Sequence, residues 1–160
     1  MNADILSNME ATDNMSVSKN GVEFVGDISN PLAVILRSTF EMNSEGIEFF
    51  SKNDWNLQIG YINRRKGYVI PEHIHNPIER TIEGTQEVLL IRKGECVIEL
   101  FDDHTFKSNK EIITINLKNG DIILLRRGGH KITITEDCEI FEMKQGPYFG
   151  VSDKKLTHEI

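Results

Sequence analysis

Apolar residues in this chain come in short runs separated by turn signals, and that rhythm sets the first expectation. The runs begin with GVEFV at 21–25, LAVILR at 32–37, GIEFF at 46–50 and NLQIGYI at 56–62. They continue with GYVI at 67–70, EVLLIRKG at 87–94, CVIELF at 96–101, EIITIN at 111–116, DIILL at 121–125, KITITE at 131–136 and EIFEMK at 139–144. Each is rich in Ile, Val, Phe or Thr, residues that suit a pleated, half-buried surface. No long stretch keeps apolar groups at i, i+3, i+4 and i+7, so long helices are not expected. Short strands at recurrent spacing predict an all-β sandwich or barrel.

Alternation then assigns faces. In EVLLI, Glu87, Leu89 and Ile91 share one side, and Val88 and Leu90 the other. Both sides are apolar, which predicts one face toward the interior and the other against a second sheet or a partner subunit. In EIFEMK, Ile140, Glu142 and Lys144 lie together, opposite Phe141 and Met143. If that charged face turns inward, Glu142 and Lys144 must pair or meet a ligand, because unpaired buried charge is very costly. Lys93-Gly94 is expected to join two strands of a hairpin. Asn119-Gly120 is the strongest turn dipeptide, since both residues tolerate positive φ. Residues 102–110 read as a longer hairpin loop, with His104 a surface residue.

At 160 residues the chain is sized for one domain. The division expected is a flexible arm over 1–20, with a short helix possible near 4–11, followed by one β domain over 21–160. No apolar run approaches the roughly 20 residues that cross a bilayer, and no secretory signal is visible, so a cytoplasmic protein is expected. The net charge of -7, from 25 acidic and 18 basic residues, argues against nucleic acid and anionic membranes as partners. Cys96 and Cys138 are too few for a disulfide scaffold and read as small buried thiols. Arg64, Arg65 and Lys66, and the pair Arg126 and Arg127, are either solvated surface or a rim that attracts an anionic small molecule.

The segment from Gly67 to His75 carries the sharpest chemical signal. On an extended strand His73 and His75, at i and i+2, point to the same side and can hold one ion. Imidazole and carboxylate together suit Zn, Fe, Mn, Ni or Co and leave positions open to water or substrate. Read with Glu87, Gly94 and the later run Gly120-Asp121-Ile122-Ile123-Leu124-Leu125, then Gly128-Gly129-His130, the chain resembles the cupin superfamily across residues 55–149. That resemblance implies a double-stranded β-helix, a jelly-roll barrel with a divalent metal held by His73, His75, Glu87 and His130. The interval between His75 and Glu87 is longer than usual for cupins, which leaves Glu79 as a competing ligand. Arg126 stands where a proline is usual, and His130 comes one residue early.

The stretch from Pro77 to Gln86 and the tail from Glu142 to Gly150 are similar to small single-domain cupins of unassigned activity, some linked to bacterial surface-sugar synthesis. The resemblance implies a metal-dependent enzyme on a small polar metabolite, such as an activated or acidic sugar, by isomerisation or epimerisation. The ion would serve as Lewis acid, with Glu142 or Lys144 as base. An oxygen-dependent oxidoreductase and a non-catalytic binding or sensing domain are the alternatives, with an accessory subunit as a further one. Arg65, Gln58 and Tyr68 are the candidate substrate contacts: Arg65 as a two-pronged anion clamp, Tyr68, like Tyr61 and Tyr148, as a stacking surface. Gln145 is a further candidate beside the metal ligands. A homodimer is expected, because apolar residues occupy both faces of several strands.

Overall fold

The computed structural model describes residues 10–12, 16–102 and 111–156. These residues form twelve strands: β1 (Glu10–Thr12), β2 (Ser16–Lys19), β3 (Val22–Val25), β4 (Ala33–Leu36), β5 (Gly46–Phe49), β6 (Gly60–Asn63), β7 (Glu87–Lys93), β8 (Glu95–Phe101), β9 (Ile113–Lys118), β10 (Ile122–Leu125), β11 (Gly129–Ile134) and β12 (Glu139–Lys144). A 3-10 turn at Gly150–Asp153 follows. A seven-stranded sheet has the order β1-β2-β3-β4-β10-β7-β12, a three-stranded sheet the order β11-β8-β9, and β5 pairs with β6 alone. Every pairing is antiparallel. The protein is all-β, as the spacing of its apolar runs predicts, but its sheets do not join into one closed barrel. No helix among the described residues is long and apolar enough to cross a membrane.

The large sheet buries both faces, and register shows how. Glu87 lies opposite Leu125 and Leu89 opposite Ile123, while Ile35 also lies opposite Ile123, so these side chains share one face. On that face Val25, Ala33, Ile35, Leu89, Ile91, Ile123 and Leu125 pack against Cys96, Ile98, Leu100, Ile113, Ile115 and Leu117 from the three-stranded sheet. Strand β9 shows the one-sided pattern cleanly, with Ile113, Ile115 and Leu117 buried and the residues between them exposed. The opposite face of the large sheet presents Val22, Phe24, Val34, Leu36, Val88 and Leu124, and the chain covers these with its own Phe50 and Trp55. Phe40 stacks edge-on with Phe50 and with Tyr61, each at 5.2 Å between ring centroids, and ties this outer layer to β6. The second apolar face is therefore covered over this area by the chain's own residues.

Three local expectations change. Lys93-Gly94 joins β7 to β8, which lie in different sheets rather than in one hairpin. The chain must cross the sandwich here, and Gly94 at φ 72 permits it: a Cβ on Gly94 would sit 2.1 Å from the Asp137 carbonyl oxygen. GYVI at 67–70 and the His73–His75 stretch form no strand, since residues 64–86 contain neither helix nor strand. Residues 10–12 and 16–19, expected in a loose arm, are strands, because the backbone of β2 pairs with the edge of β3. The possible helix near 4–11 falls mostly outside the described residues, as does His104. The strands flanking 102–110 do pair as a hairpin, and at Asn119-Gly120 only the glycine takes positive φ.

One end of the inner core is closed by an ionic cluster. Asp121 is fully buried and accepts hydrogen bonds from the backbone N–H of Ser38 at 2.8 Å and of Lys118 at 3.1 Å. Arg37 donates to Asp121 at 3.0 Å, to both Glu23 oxygens at 2.7 and 2.9 Å, and to the Asn116 carbonyl at 2.7 Å. Burial works against the Arg37 charge, but its bonds to Glu23 and Asp121 outweigh burial and hold its pKa above the ordinary value. At the same end burial pushes the Cys96 thiol up to about 11, helped by Cys138 and Asp121. Buried pairs are sensitive to losing one member, so Arg37→Ala is expected to cost about 3 kcal/mol, read as a lower urea midpoint at unchanged slope. A variant as stable as the parent would show that the cluster contributes nothing.

Candidate functional site

The other end of the sandwich gathers polar side chains that lie far apart in the chain. Glu87 opens β7 and faces the inner layer, by the same alternation that buries Leu89 and Ile91. His130 lies on β11 in the opposing sheet, opposite Leu100. Across the gap the two meet, with His130 Nε2 3.5 Å from Glu87 Oε2. Strand β12 pairs beside β7, placing Lys144 opposite Glu87 and Glu142 opposite Leu89 on the same side. The charged pair of EIFEMK lies on the face of β12 shared with Leu89, exposed at its end, and does pair: Lys144 Nζ lies 3.1 Å from Glu142 and 3.8 Å from Glu87 Oε1. Tyr148 closes the group, its ring centroid 5.4 Å from Lys144 Nζ.

This cluster has a definite electrostatic order. The hydrogen bond and charge of Glu142, with a smaller contribution from Glu87, hold the Lys144 pKa above the ordinary lysine value. Lys144 is therefore an ammonium at neutral pH, a donor and positive charge rather than a base. Glu87 contacts two different partners through its two oxygens. The 3.5 Å gap to His130 is at the outer limit of hydrogen bonding.

The remaining expected ligands lie elsewhere along the chain. His73 and His75 sit within residues 65–85, which are exposed throughout. Their ring centroids are 5.2 Å apart. His73 Nδ1 lies 2.8 Å from the Pro71 carbonyl. A carbonyl can only accept, so this contact is a hydrogen bond with the proton on Nδ1, the tautomer that leaves the lone pair on Nε2. The four expected ligands thus form two pairs, Glu87 with His130 and His73 with His75. Among the described residues no group of three or more His, Cys, Asp or Glu comes together closely enough to hold a metal ion. Glu79 lies on the same exposed segment as the two histidines, whereas Glu87 stands against His130.

The expected substrate contacts are engaged in other ways. Arg65 is 87% exposed and ion-paired with Glu45. Gln58 donates to the Lys52 carbonyl at 3.2 Å. The Tyr68 ring carries the Arg64 guanidinium 4.5 Å from its centroid. None of the three shares a hydrogen bond, ion pair or ring contact with Glu87 or His130 among the described residues. No family model, curated protein or solved structure matches this chain.

Reading the sequence also passed over two contributors. Gln145, named only as a candidate neighbour, accepts from the Gln86 backbone N–H at 2.7 Å and ties the end of β12 to the start of β7. Trp55, the chain's one tryptophan, packs in the outer layer with Arg126 over its ring at 4.6 Å. A lone tryptophan beside Asp54 and Asn56 was the available signal.

Replacing Glu142 with Gln removes the main support of the Lys144 charge, so the Lys144 pKa is expected to fall. The sign is fixed by the direction of the shift: a raised lysine pKa favours the folded state below the unfolded value and loses that contribution as pH climbs through the folded one. Titration of the lysine side chains by NMR reads this directly. An unmoved Lys144 resonance in Glu142→Gln would dissolve the pairing.

Proposed function

We propose that this chain is a divalent-metal-dependent enzyme of the cupin type that acts on a small polar metabolite. The observation that carries the proposal is the meeting of Glu87 and His130 across the two sheets, with Glu142 and Lys144 beside them. These residues lie far apart in sequence, yet strand register brings them to one end of the sandwich. The two facing antiparallel sheets are compatible with a jelly roll, and the motif resemblance already noted implies Glu87 and His130 as two of the ligands.

The donor chemistry fits a borderline transition metal such as Zn, Fe, Mn or Ni. Glu87 and His130 would supply one half of the set, His73 and His75 the other, with the His73 proton held on Nδ1 by Pro71 so that Nε2 is available. A segment this long without secondary structure is uncommon inside a compact domain and often functional. Strand β11, which bears His130, is an edge strand of its sheet among the described residues, and the exposed Ile70, Ile74 and Ile78 of the segment have apolar surface to bury. Both features favour the segment lying against that edge during function.

A bound ion would supply Lewis-acid polarisation of a substrate carbonyl or hydroxyl oxygen. The chain's own groups divide the remaining work. Lys144, kept protonated by Glu142 and Glu87, orients substrate oxygen by its positive charge. Glu142, exposed at the mouth of the site, is the group able to take a proton from the carbon or hydroxyl next to the polarised oxygen. Abstraction of the proton beside a carbonyl and its return to the former carbonyl carbon, with the hydroxyl proton passing to the carbonyl oxygen, is an isomerisation; its return to the same carbon from the opposite face is an epimerisation.

Titration with Co(II), followed by its visible absorption, tests the ligand set. Wild-type protein is expected to bind one ion, and His73→Ala, Glu87→Gln and His130→Ala each to weaken binding at least about tenfold. Glu79→Gln should bind as the parent does. Circular dichroism of each variant separates lost ligands from lost fold. No Co(II) binding by the wild type, or equal binding by all four variants, would refute the proposal.

A further inference from the structure

Next to the first residues of β7 and β11, the strands that carry the Glu87–His130 pair, lies a cavity of about 670 Å³. Gln86 and Glu87 are consecutive, Gln86 just before β7 and Glu87 its first residue. Glu87 faces the inner layer, while Gln86 lines the cavity with Trp55, a residue of the outer layer. Arg126, Arg127 and Gly128 from the loop between β10 and β11 form a second wall, and Asn56 and Thr85 lie at its sides. Its volume is within the range of small-molecule sites.

Two features of the wall point to a ligand rather than to solvent-filled space. The first is Arg126. Its NH1 donates to neutral acceptors, the Asn30 side chain at 2.6 Å and the Pro31 carbonyl at 3.2 Å, and its face lies on Trp55. It makes no ion pair among the described residues, unlike Arg127, which is paired with Asp102 at 2.6 Å. Burial, and then the like charge of Arg127, lower its pKa, with Asp54 partly opposing them. Its Nε is buried and lacks a hydrogen-bond partner. The second feature is Gln86, only 8% exposed. Its Nε2 donates to the Arg126 carbonyl at 3.2 Å, but its Oε1 is buried without a partner. The cavity wall thus holds a guanidinium with no carboxylate partner among the described residues, and behind it two polar atoms, Arg126 Nε and Gln86 Oε1, closed off from solvent and unmet, which is costly.

Asp54 and Glu83 also line the cavity, and they bear on the choice of ligand. A bare anion would meet Arg126 but repel these two carboxylates. A ligand with hydroxyls donates to them while its acidic group faces Arg126. We infer that this cavity is a binding site for a small hydroxylated anion, a polyol bearing a carboxylate or a phosphate, separate from the metal-type cluster on the inner face. The inference does not depend on a metal at Glu87 and His130.

Calorimetric titration of the full chain with D-gluconate, D-glucose 6-phosphate, D-glucose and inorganic phosphate tests it and distinguishes the two acidic groups. At least one hydroxylated anion is expected to bind in the millimolar range or tighter, and glucose and phosphate to bind at least about tenfold more weakly. Arg126→Gln, and Asn56→Trp, which fills the cavity from an exposed loop, are each expected to weaken binding about tenfold or more. If Arg126→Gln unfolds, Asn56→Trp decides alone. His130→Ala should bind as the parent does, so loss of Co(II) binding and loss of anion binding fail separately. The inference is overturned if neither hydroxylated anion binds at up to about 10 mM, if the folded cavity variants bind as the parent does, or if His130→Ala abolishes binding.

Discussion

The structure depends on one demand: a sheet that is apolar on both faces must be covered twice. Strands β3, β4, β10 and β7 present Ile35, Leu89 and Ile123 one way and Phe24, Val34 and Leu124 the other. Hydrophobic burial has no preferred direction, so either face will accept whatever apolar surface the chain can deliver. The three-stranded sheet covers one side, and Phe50 and Trp55 cover the other. Nearly every other feature is a consequence of how the connections reach those two positions. Gly94 exists where β7 must hand over to β8 in the opposite sheet, within reach of the Asp137 backbone.

Because the same strands serve two interfaces, neighbouring residues serve two environments. Glu87 reaches His130 through the inner gap, and Gln86 reaches Arg126 through the outer one. The loop after β10 repeats the division: Arg126 lies over Trp55, and His130 a few residues later faces Glu87. The split falls at strand ends, where the chain enters β7 between Gln86 and Glu87 and passes from β10 to β11 between Arg126 and His130. Two chemically unlike groupings, one rich in carboxylate and imidazole and one built around an unpaired guanidinium, therefore share a backbone frame.

Much of the frame was legible in the sequence because β-strand periodicity is local. The facing of Leu89 and Ile91 against Val88, and of Glu142 and Lys144 against Phe141 and Met143, follows from alternation, and the strand register agrees. The Glu87–His130 encounter was legible through motif spacing. Connectivity was less so: Lys93-Gly94 has the composition of a hairpin turn, and nothing local distinguishes a turn within a sheet from a crossing between sheets. For the histidines at 73 and 75 the alternating pattern was present, but a strand needs a partner edge as well as a pattern, and residues 64–86 have none here. The cavity escaped notice because Trp55, Gln86 and Arg126 join only through tertiary packing.

The Arg37–Asp121–Glu23 cluster and the Glu87–His130 pair occupy opposite ends of the inner core. Anchoring is concentrated at one pole and exposed titratable side chains at the other. Sequence drift at the exposed pole would leave the anchor intact, so side chains there can be exchanged on the same scaffold. Change at the anchored pole would instead erode the shared framework on which any such exchange relies.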